Sequence, residues 1–139
     1  MIYVNNYIIM YQMCRICDEE PGSHSFEFYG KSSNDVYMYY TCPADATKYW
    51  DTVGILNHYE EVLEKNNNKK WSWLFDGRDF SVKHSMEIST AIGIIKILSR
   101  YDDSLCQIQV VNANALIKGF YSVIYPFLSQ EIVDKIIWN

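Results

Sequence analysis

Two strand-like segments, each followed by a helix-like segment, constrain the fold of this chain more than any other feature of its sequence. Residues 71–75 read Trp-Ser-Trp-Leu-Phe and residues 107–111 read Gln-Ile-Gln-Val-Val, so both are rich in the residue types that favour strands. Each segment stops at turn-forming residues, at 76–77 and at 112–114. Strands that alternate with helices predict right-handed βαβ crossovers and a mainly parallel sheet with helices packed on it. The predicted fold class is therefore α/β.

Three segments repeat apolar residues at three- and four-residue steps, which is the pattern of an amphipathic helix. The predicted helices cover residues 44–65, residues 84–100 with Ser81 or Ser85 as N-cap, and residues 116–124. The apolar positions assigned to the first helix are Ala46, Tyr49, Trp50, Val53, Leu56 and Leu63.

The two ends of the chain carry weaker patterns. Residues 26–29 and 36–42 predict two strands around a polar turn. Ser129 is predicted to cap a last amphipathic helical piece whose apolar positions fall within residues 132–137. Residues 1–13 are apolar, and their pattern fits a strand or a helix.

The composition restricts the classes of partner. We interpret residues 1–139 as a single domain, because this length and 49% hydrophobic residues suffice for one core. A net charge of −5 with scattered basic residues argues against nucleic acid as a partner and against purely electrostatic membrane binding. The sequence has neither a secretory signal nor a run of about 18 apolar residues, so we expect a soluble, cytoplasmic protein with reduced cysteines.

Several short motifs follow one another in the second half of the chain. Residues 73–81 read Trp-Leu-Phe-Asp-Gly-Arg-Asp-Phe-Ser, and residues 108–113 are strand-like and end in Asn-Ala. Three further motifs are the segment 98–105, Tyr-Pro-Phe-Leu at 125–128 and Lys-Ile at 135–136. In this order and spacing, the motifs resemble those of the CRAL-TRIO domain family.

The resemblance is clearest over residues 71–136 and leaves residues 1–25 without a clear counterpart. It implies a CRAL-TRIO-like sheet with a cavity that binds a lipid or another hydrophobic small molecule without catalysis. Asp102 and Asn114 depart from the family's motifs, which have Pro at both places. The resemblance further implies that the family's last strand, gate helix and headgroup-recognising residues lie beyond Asn139.

The candidate lipid-binding residues are Trp73, Phe75, Val110 and Phe120. Trp73 and Phe75 belong to an alternation that places large rings on one face of a strand. The expected partner is a hydrophobic small molecule or phospholipid, with peripheral contact to a membrane. The alternative function is a protein–protein interaction module that has kept the scaffold but lost the lipid gate, with a protein partner or a homodimer covering the exposed apolar surface.

Cysteine and histidine residues near the N-terminus offer a weaker signal. Cys14 and Cys17 have the spacing of zinc ligands, and His24 and Cys42 are candidate further ligands. Because no second closely spaced pair accompanies them, we interpret the cysteines as idle or buried thiols and expect neither a metal nor a cofactor.

Catalysis is not expected either. Asp76 and Asp79 follow a strand, where a carboxylate pair can hold a cation, but an Asp that accepts backbone N–H groups in a turn is the preferred interpretation. His24, His58 and His84 are isolated along the sequence and are predicted to lie at the surface or to cap helices.

Overall fold

The computed structural model describes residues 14–139, so the two interpretations of residues 1–13 lie outside the described residues. The strands are β1 (Glu27–Lys31), β2 (Tyr37–Thr41), β3 (Trp71–Asp76), β4 (Leu105–Val111) and β5 (Ile136–Trp138). The helices are α1 (Arg15–Glu19), α2 (Thr52–Asn66), α3 (Val82–Ser85), α4 (Ile88–Ser99), α5 (Ala115–Ile124) and α6 (Gln130–Asp134), with 3-10 turns at Pro43–Asp45 and Tyr125–Phe127.

The five strands form one sheet in chain order. β1 is antiparallel to β2, and β2 to β5 are mutually parallel. The predicted α/β class with a mainly parallel sheet is confirmed. Because successive parallel strands move in one direction across the sheet, right-handed crossovers place their helices on the same face.

The core lies between that face and the helices. Trp71 and Trp73 of β3 are buried, whereas Ser72 and Leu74 point to the other face and are partly exposed. The core includes the aromatic residues Phe26, Tyr39, Tyr59, Trp71 and Trp73 and the aliphatic residues Leu63, Leu98 and Ile132. None of the helices within residues 14–139 has both the length and the apolar character that a membrane span requires.

The first predicted helix begins later than its pattern indicated. The helix starts at Thr52, where the Asp51 side chain accepts the N–H of Gly54 at 3.1 Å. The preceding residues cannot extend the helix because the N–H groups of Thr47 and Lys48 bond to carbonyls at residues 22 and 23 instead. The predicted apolar positions are correct only in part. Leu63 lies in the core and Leu56 packs against it, but Trp50 and Val53 are exposed, and the pattern missed the core residues Ile55, Tyr59 and Val62.

The second predicted helix is two helices. Ser81, which is one of the two predicted N-cap residues, caps α3 through a capping box with His84. The chain leaves helical geometry at Glu87 (φ −87°, ψ 54°) before α4 begins. Short side chains explain the break, because Ser85 donates its hydroxyl hydrogen to the Val82 carbonyl at 2.7 Å and closes the short turn.

The last predicted helical piece is helical only in its first half, and its second half forms a strand. Ser129 caps α6 as predicted, but residues after Asp134 form β5, whose Ile136 pairs with Ile108 of β4. The exposed edge of β4 offers backbone partners that a helix would leave unused, and the N–H of Ile108 bonds to the carbonyl of Lys135 at 2.9 Å. β5 is therefore a strand that the sequence pattern did not predict.

Candidate functional site

Two adjoining cavities lie between the sheet and the helices. Their volumes are about 110 and 130 Å³. The side chains of Trp73, Phe75, Ile94 and Phe120 line both of them. The first cavity extends toward α2 and α3, and the second is bounded by apolar side chains of α4, α5, α6 and β5. Room of this kind beneath an apolar lining is characteristic of a site for a hydrophobic ligand.

The structure brings together all four residues that the sequence predicts to bind lipid. Trp73 and Val110 are only 8% and 7% exposed, and Phe75 and Phe120 are half-buried. The rings of Trp73 and Phe75 meet edge to face at 5.8 Å. Val110 lines the second cavity, and the other three line both. Their role in lipid binding stays a prediction.

A short row of hydroxyl groups forms the polar part of the first cavity. The indole N–H of Trp73 donates to the Thr41 hydroxyl at 2.8 Å, and that hydroxyl lies 3.2 Å from the hydroxyl of Tyr59. Burial raises the pKa of Tyr59, so its hydroxyl is neutral at physiological pH. A second pair, Thr52 and Thr90, is joined at 2.6 Å. Of these hydroxyl groups, those of Thr41, Tyr59 and Thr90 line the cavity, and Ser25, His84 and Glu87 add further polar side chains to its wall.

His84 lines the first cavity and caps α3. The N–H of Ser81 donates to its Nδ1 atom at 3.0 Å, which confirms the predicted capping role. The side chain is nevertheless buried rather than at the surface. Burial, assisted by the charge of Lys83, lowers the pKa of His84, so the ring is neutral at physiological pH.

The carboxyl ends of β3 and β4 lie side by side, as the alternation of strands and helices predicts. The Asp76 carboxylate accepts the backbone N–H of Arg78 at 3.0 Å, the amide of Asn112 at 2.9 Å and the hydroxyl of Tyr40 at 2.6 Å. Burial by itself raises the pKa of Asp76, but these hydrogen bonds outweigh it and hold the pKa below its usual value. The turn role of Asp76 is confirmed, whereas Asp79 is exposed beside Arg78.

The cysteine and histidine residues of the N-terminal region form a buried cluster. The ligating atoms of Cys14, Cys17, His24 and His58 all lie within 4.8 Å of one another. Burial lowers the pKa of His58 to about 4. The prediction that His24 and His58 lie at the surface or cap helices is wrong, and Cys42 stands apart with its sulfur 3.7 Å from a backbone carbonyl.

Several residues that line the cavities were not predicted from the sequence. Tyr59 was missed because the predicted apolar positions did not include the face of α2 on which Ile55, Tyr59 and Val62 are buried. Ile94 lies one residue before Ile95 of the predicted apolar stripe and lines both cavities. Phe80 belongs to the segment 73–81 that carries the resemblance, so the signal for this residue was present in the sequence.

Comparisons with known proteins agree with this architecture. The sequence profile of the CRAL/TRIO domain matches residues 47–139. The solved structure titled "Crystal structure of Sfh5" is similar, with a TM-score of 0.67 and 14% sequence identity over 87% of this chain and 50% of that chain. The chain therefore spans about half the length of that protein, and at this identity the likeness concerns the fold. No curated protein sequence matches the chain.

Proposed function

Because this chain belongs to the CRAL/TRIO domain family, we propose that it binds a lipid or another hydrophobic small molecule, without catalysis, in the two adjoining cavities. The observation that carries the proposal is the pair of adjoining cavities, of which the second has an almost wholly apolar lining that includes side chains of α4 and α5. Trp73, Phe75, Val110 and Phe120 are the proposed contacts.

The energy of binding comes from apolar burial. Each square ångström of apolar surface removed from water contributes about 25 cal/mol, so an acyl chain needs no charged contact to be held. A dry cavity of about 150 Å³ accepts a ligand the size of benzene, so each of the two cavities suits a segment of a lipid rather than a whole one. A longer ligand requires the rings of Phe75 and Phe120, which stand between the cavities, to turn aside.

The polar groups at the cavity wall favour binding over catalysis. Thr41 and Tyr59 are hydrogen-bonded to each other, as are Thr52 and Thr90. His84 is engaged with Ser81 at the start of α3. These side chains are therefore used by the fold, and they offer a ligand's polar end neutral hydroxyl groups rather than an activated nucleophile.

A cavity-filling variant tests the proposal. Ala91 lines the second cavity, so Ala91→Leu should occupy it and weaken the binding of the fluorescent fatty acid cis-parinaric acid by about 10-fold or more. Ala115→Leu makes the same change at an exposed position of α5 and should leave the affinity unchanged. Binding is measured by fluorescence titration, and native mass spectrometry after lipid extraction identifies any ligand that copurifies.

Two results would overturn the proposal: a protein that takes up no fatty acid, phospholipid or retinoid, or equal affinities for the two variants. Thermal unfolding provides the check on folding. A filled cavity should leave the stability of Ala91→Leu within about 1 kcal/mol of the original, whereas overpacking costs about 1–3 kcal/mol.

A protein-interaction module is the second candidate function, and one observation favours it. Apolar side chains along and after α5 remain accessible, including Leu116 at 39%, Val123 at 50% and Phe127 at 54% exposure. A protein partner, a second copy of the chain or a membrane surface would remove this area from water. Light scattering separates the cases, since a monomer with a filled cavity supports lipid binding and a dimer with empty cavities supports interaction.

We further propose a cytoplasmic location, which the four free cysteines favour.

A further inference from the structure

The buried cluster of Cys14, Cys17, His24 and His58 brings four metal-binding side chains to one point. Cys14 and Cys17 flank the first turn of α1, His24 lies in the loop that follows, and His58 comes from the middle of α2. We propose that these four residues bind a structural zinc ion.

The distances among the four ligating atoms fit a tetrahedral zinc site. The Nδ1 atom of His24 lies 3.5 Å from the sulfur of Cys14 and 3.6 Å from that of Cys17, and the Nδ1 atom of His58 lies 3.5 Å from the sulfur of Cys17. Zinc–sulfur bonds of about 2.3 Å and zinc–nitrogen bonds of about 2.0–2.1 Å at tetrahedral angles separate sulfur from nitrogen by about 3.6 Å. One ion between these atoms therefore requires little movement of the side chains.

The outer atoms of both histidines are already held in the orientation that a ligand needs. The Nε2–H of His24 donates to the carboxylate of Asp51 at 3.0 Å, and the Nε2–H of His58 donates to the carbonyl of Phe26 at 2.7 Å. These bonds leave each Nδ1 atom with a lone pair that faces the sulfurs. A carboxylate or carbonyl behind a histidine is the usual support for a metal ligand, because it fixes both the tautomer and the ring orientation.

The local backbone is shaped around the same point. The N–H of Cys17 donates to the sulfur of Cys14 at 3.4 Å, so the first turn of α1 holds the two cysteines next to each other. Asp51 reaches His24 across Gly54, where an added Cβ would lie 2.1 Å from an Asp51 oxygen and 3.0 Å from the His24 ring. Only glycine at position 54 leaves this support undisturbed.

The donor set identifies the metal class. Two thiolates and two imidazoles in a tetrahedral arrangement favour zinc, and four protein ligands close the site to substrate, so the role is structural. Three of the four ligands precede residue 47, where the match to the CRAL/TRIO domain begins. The ion would connect residues 14–24 to α2.

Metal analysis of the full chain tests the proposal. After equilibration with zinc and removal of excess, mass spectrometry of the metal should find one zinc per chain. Replacement by cobalt should give the visible bands of tetrahedral cobalt together with near-ultraviolet sulfur-to-cobalt charge transfer. Neither measurement requires a variant, so both remain informative if a substitution prevents folding.

Variants then assign the ligands. Cys17→Ser and His58→Gln should no longer bind one zinc per chain, and the charge-transfer band of their cobalt forms should be lost or changed. Cys106→Ser alters an exposed cysteine outside the cluster and should keep one zinc per chain. Asp51→Asn keeps an oxygen that can cap α2 but removes the carboxylate beside His24, and it should weaken zinc binding about 10- to 100-fold. An original chain that binds no zinc, a cobalt spectrum without thiolate bands, or equal zinc content in Cys17→Ser and the original would overturn the proposal. Lipid binding is measured separately, so failure of either proposal leaves the other standing.

Discussion

Two polar clusters of this domain differ in how well their polar atoms are hydrogen-bonded. At the carboxyl ends of β3 and β4, the Asp76 carboxylate accepts three hydrogen bonds, from Tyr40, Arg78 and Asn112. Beneath α2, the outward nitrogens of His24 and His58 are likewise bonded, but the two Nδ1 atoms face cysteine sulfurs, which are weak hydrogen-bonding partners.

The difference distinguishes a polar cluster that the fold completes from one that it leaves for a ligand. Each donor near Asp76 has an acceptor of good geometry, so that cluster is a structural turn. The cysteine–histidine cluster gathers four lone-pair atoms without a strong donor between them, and a cation supplies what is missing there. We expect the two clusters to respond differently to metal, pH and substitution.

The largest expected effect is the loss of metal from the cysteine–histidine cluster. Zinc at about 1,000 times its dissociation constant stabilises the folded state by about 4 kcal/mol. For a chain of this size, a chelator should therefore lower the Tm by about 10 °C or more. Differential scanning fluorimetry measures the shift, and Cys17→Ser serves as control because its Tm should respond to neither zinc nor chelator. An unchanged Tm in the zinc-loaded original would contradict the distinction between the clusters.

A smaller effect is expected from Asp76→Asn. The amide offers one acceptor atom where the carboxylate offers two, so at least one of the three donors loses its partner at a cost of about 1–3 kcal/mol. Urea unfolding measures this loss, and zinc content should be unaffected.

The pH dependence of the same variant sharpens the test. The folded-state pKa of Asp76 is lower than its value in the unfolded chain, so its contribution to stability is present above about pH 4 and is lost as the pH falls through the folded-state pKa. The free energy of unfolding should thus fall less steeply below pH 4 in Asp76→Asn than in the original. Identical slopes would show that the carboxylate is not stabilised by its three donors.

The smallest effect is expected at the exposed rim of the Asp76 cluster. Arg78 binds Asp45 through two contacts of 2.8 and 2.9 Å, but both side chains are about half exposed. Asp45→Asn should reduce the free energy of unfolding by less than about 1 kcal/mol, and high salt should remove the difference. If urea unfolding showed that Asp45→Asn lowers the free energy of unfolding by more than about 2 kcal/mol, the pair would behave as part of the buried cluster and not as an exposed rim.

The apolar part of the candidate site was largely predictable. Trp73, Phe75 and Val110 lie on predicted strands, and Phe120 lies on a predicted helix, so alternation and helical spacing sufficed to place them on buried faces. Tyr59 and Thr41 were not predicted, because the hydrogen bond between their hydroxyl groups joins α2 to β2 across 18 residues of sequence. Such long-range bonds leave no periodic trace in the sequence.

The polar cluster was predictable only in part. The spacing of Cys14 and Cys17 signals a metal site, and His24 was a candidate, but Cys42 was the wrong fourth residue. His58 lies 41 residues from Cys17 and is one of several polar residues on α2. A helix turned by one residue would have pointed another side chain at the cysteines.

By itself, the sequence determined β3, β4 and α5, together with the turn at Asp76, because the local pattern of apolar and turn-forming residues fixes both the backbone conformation and the buried side. Only the tertiary structure decided that Ile136 pairs as a strand, that two cavities adjoin at Phe120, and that His58 meets Cys17. The physical reason is that convergence of distant residues depends on how helices cross the sheet, and that geometry is set by packing and long-range hydrogen bonds rather than by neighbours along the chain.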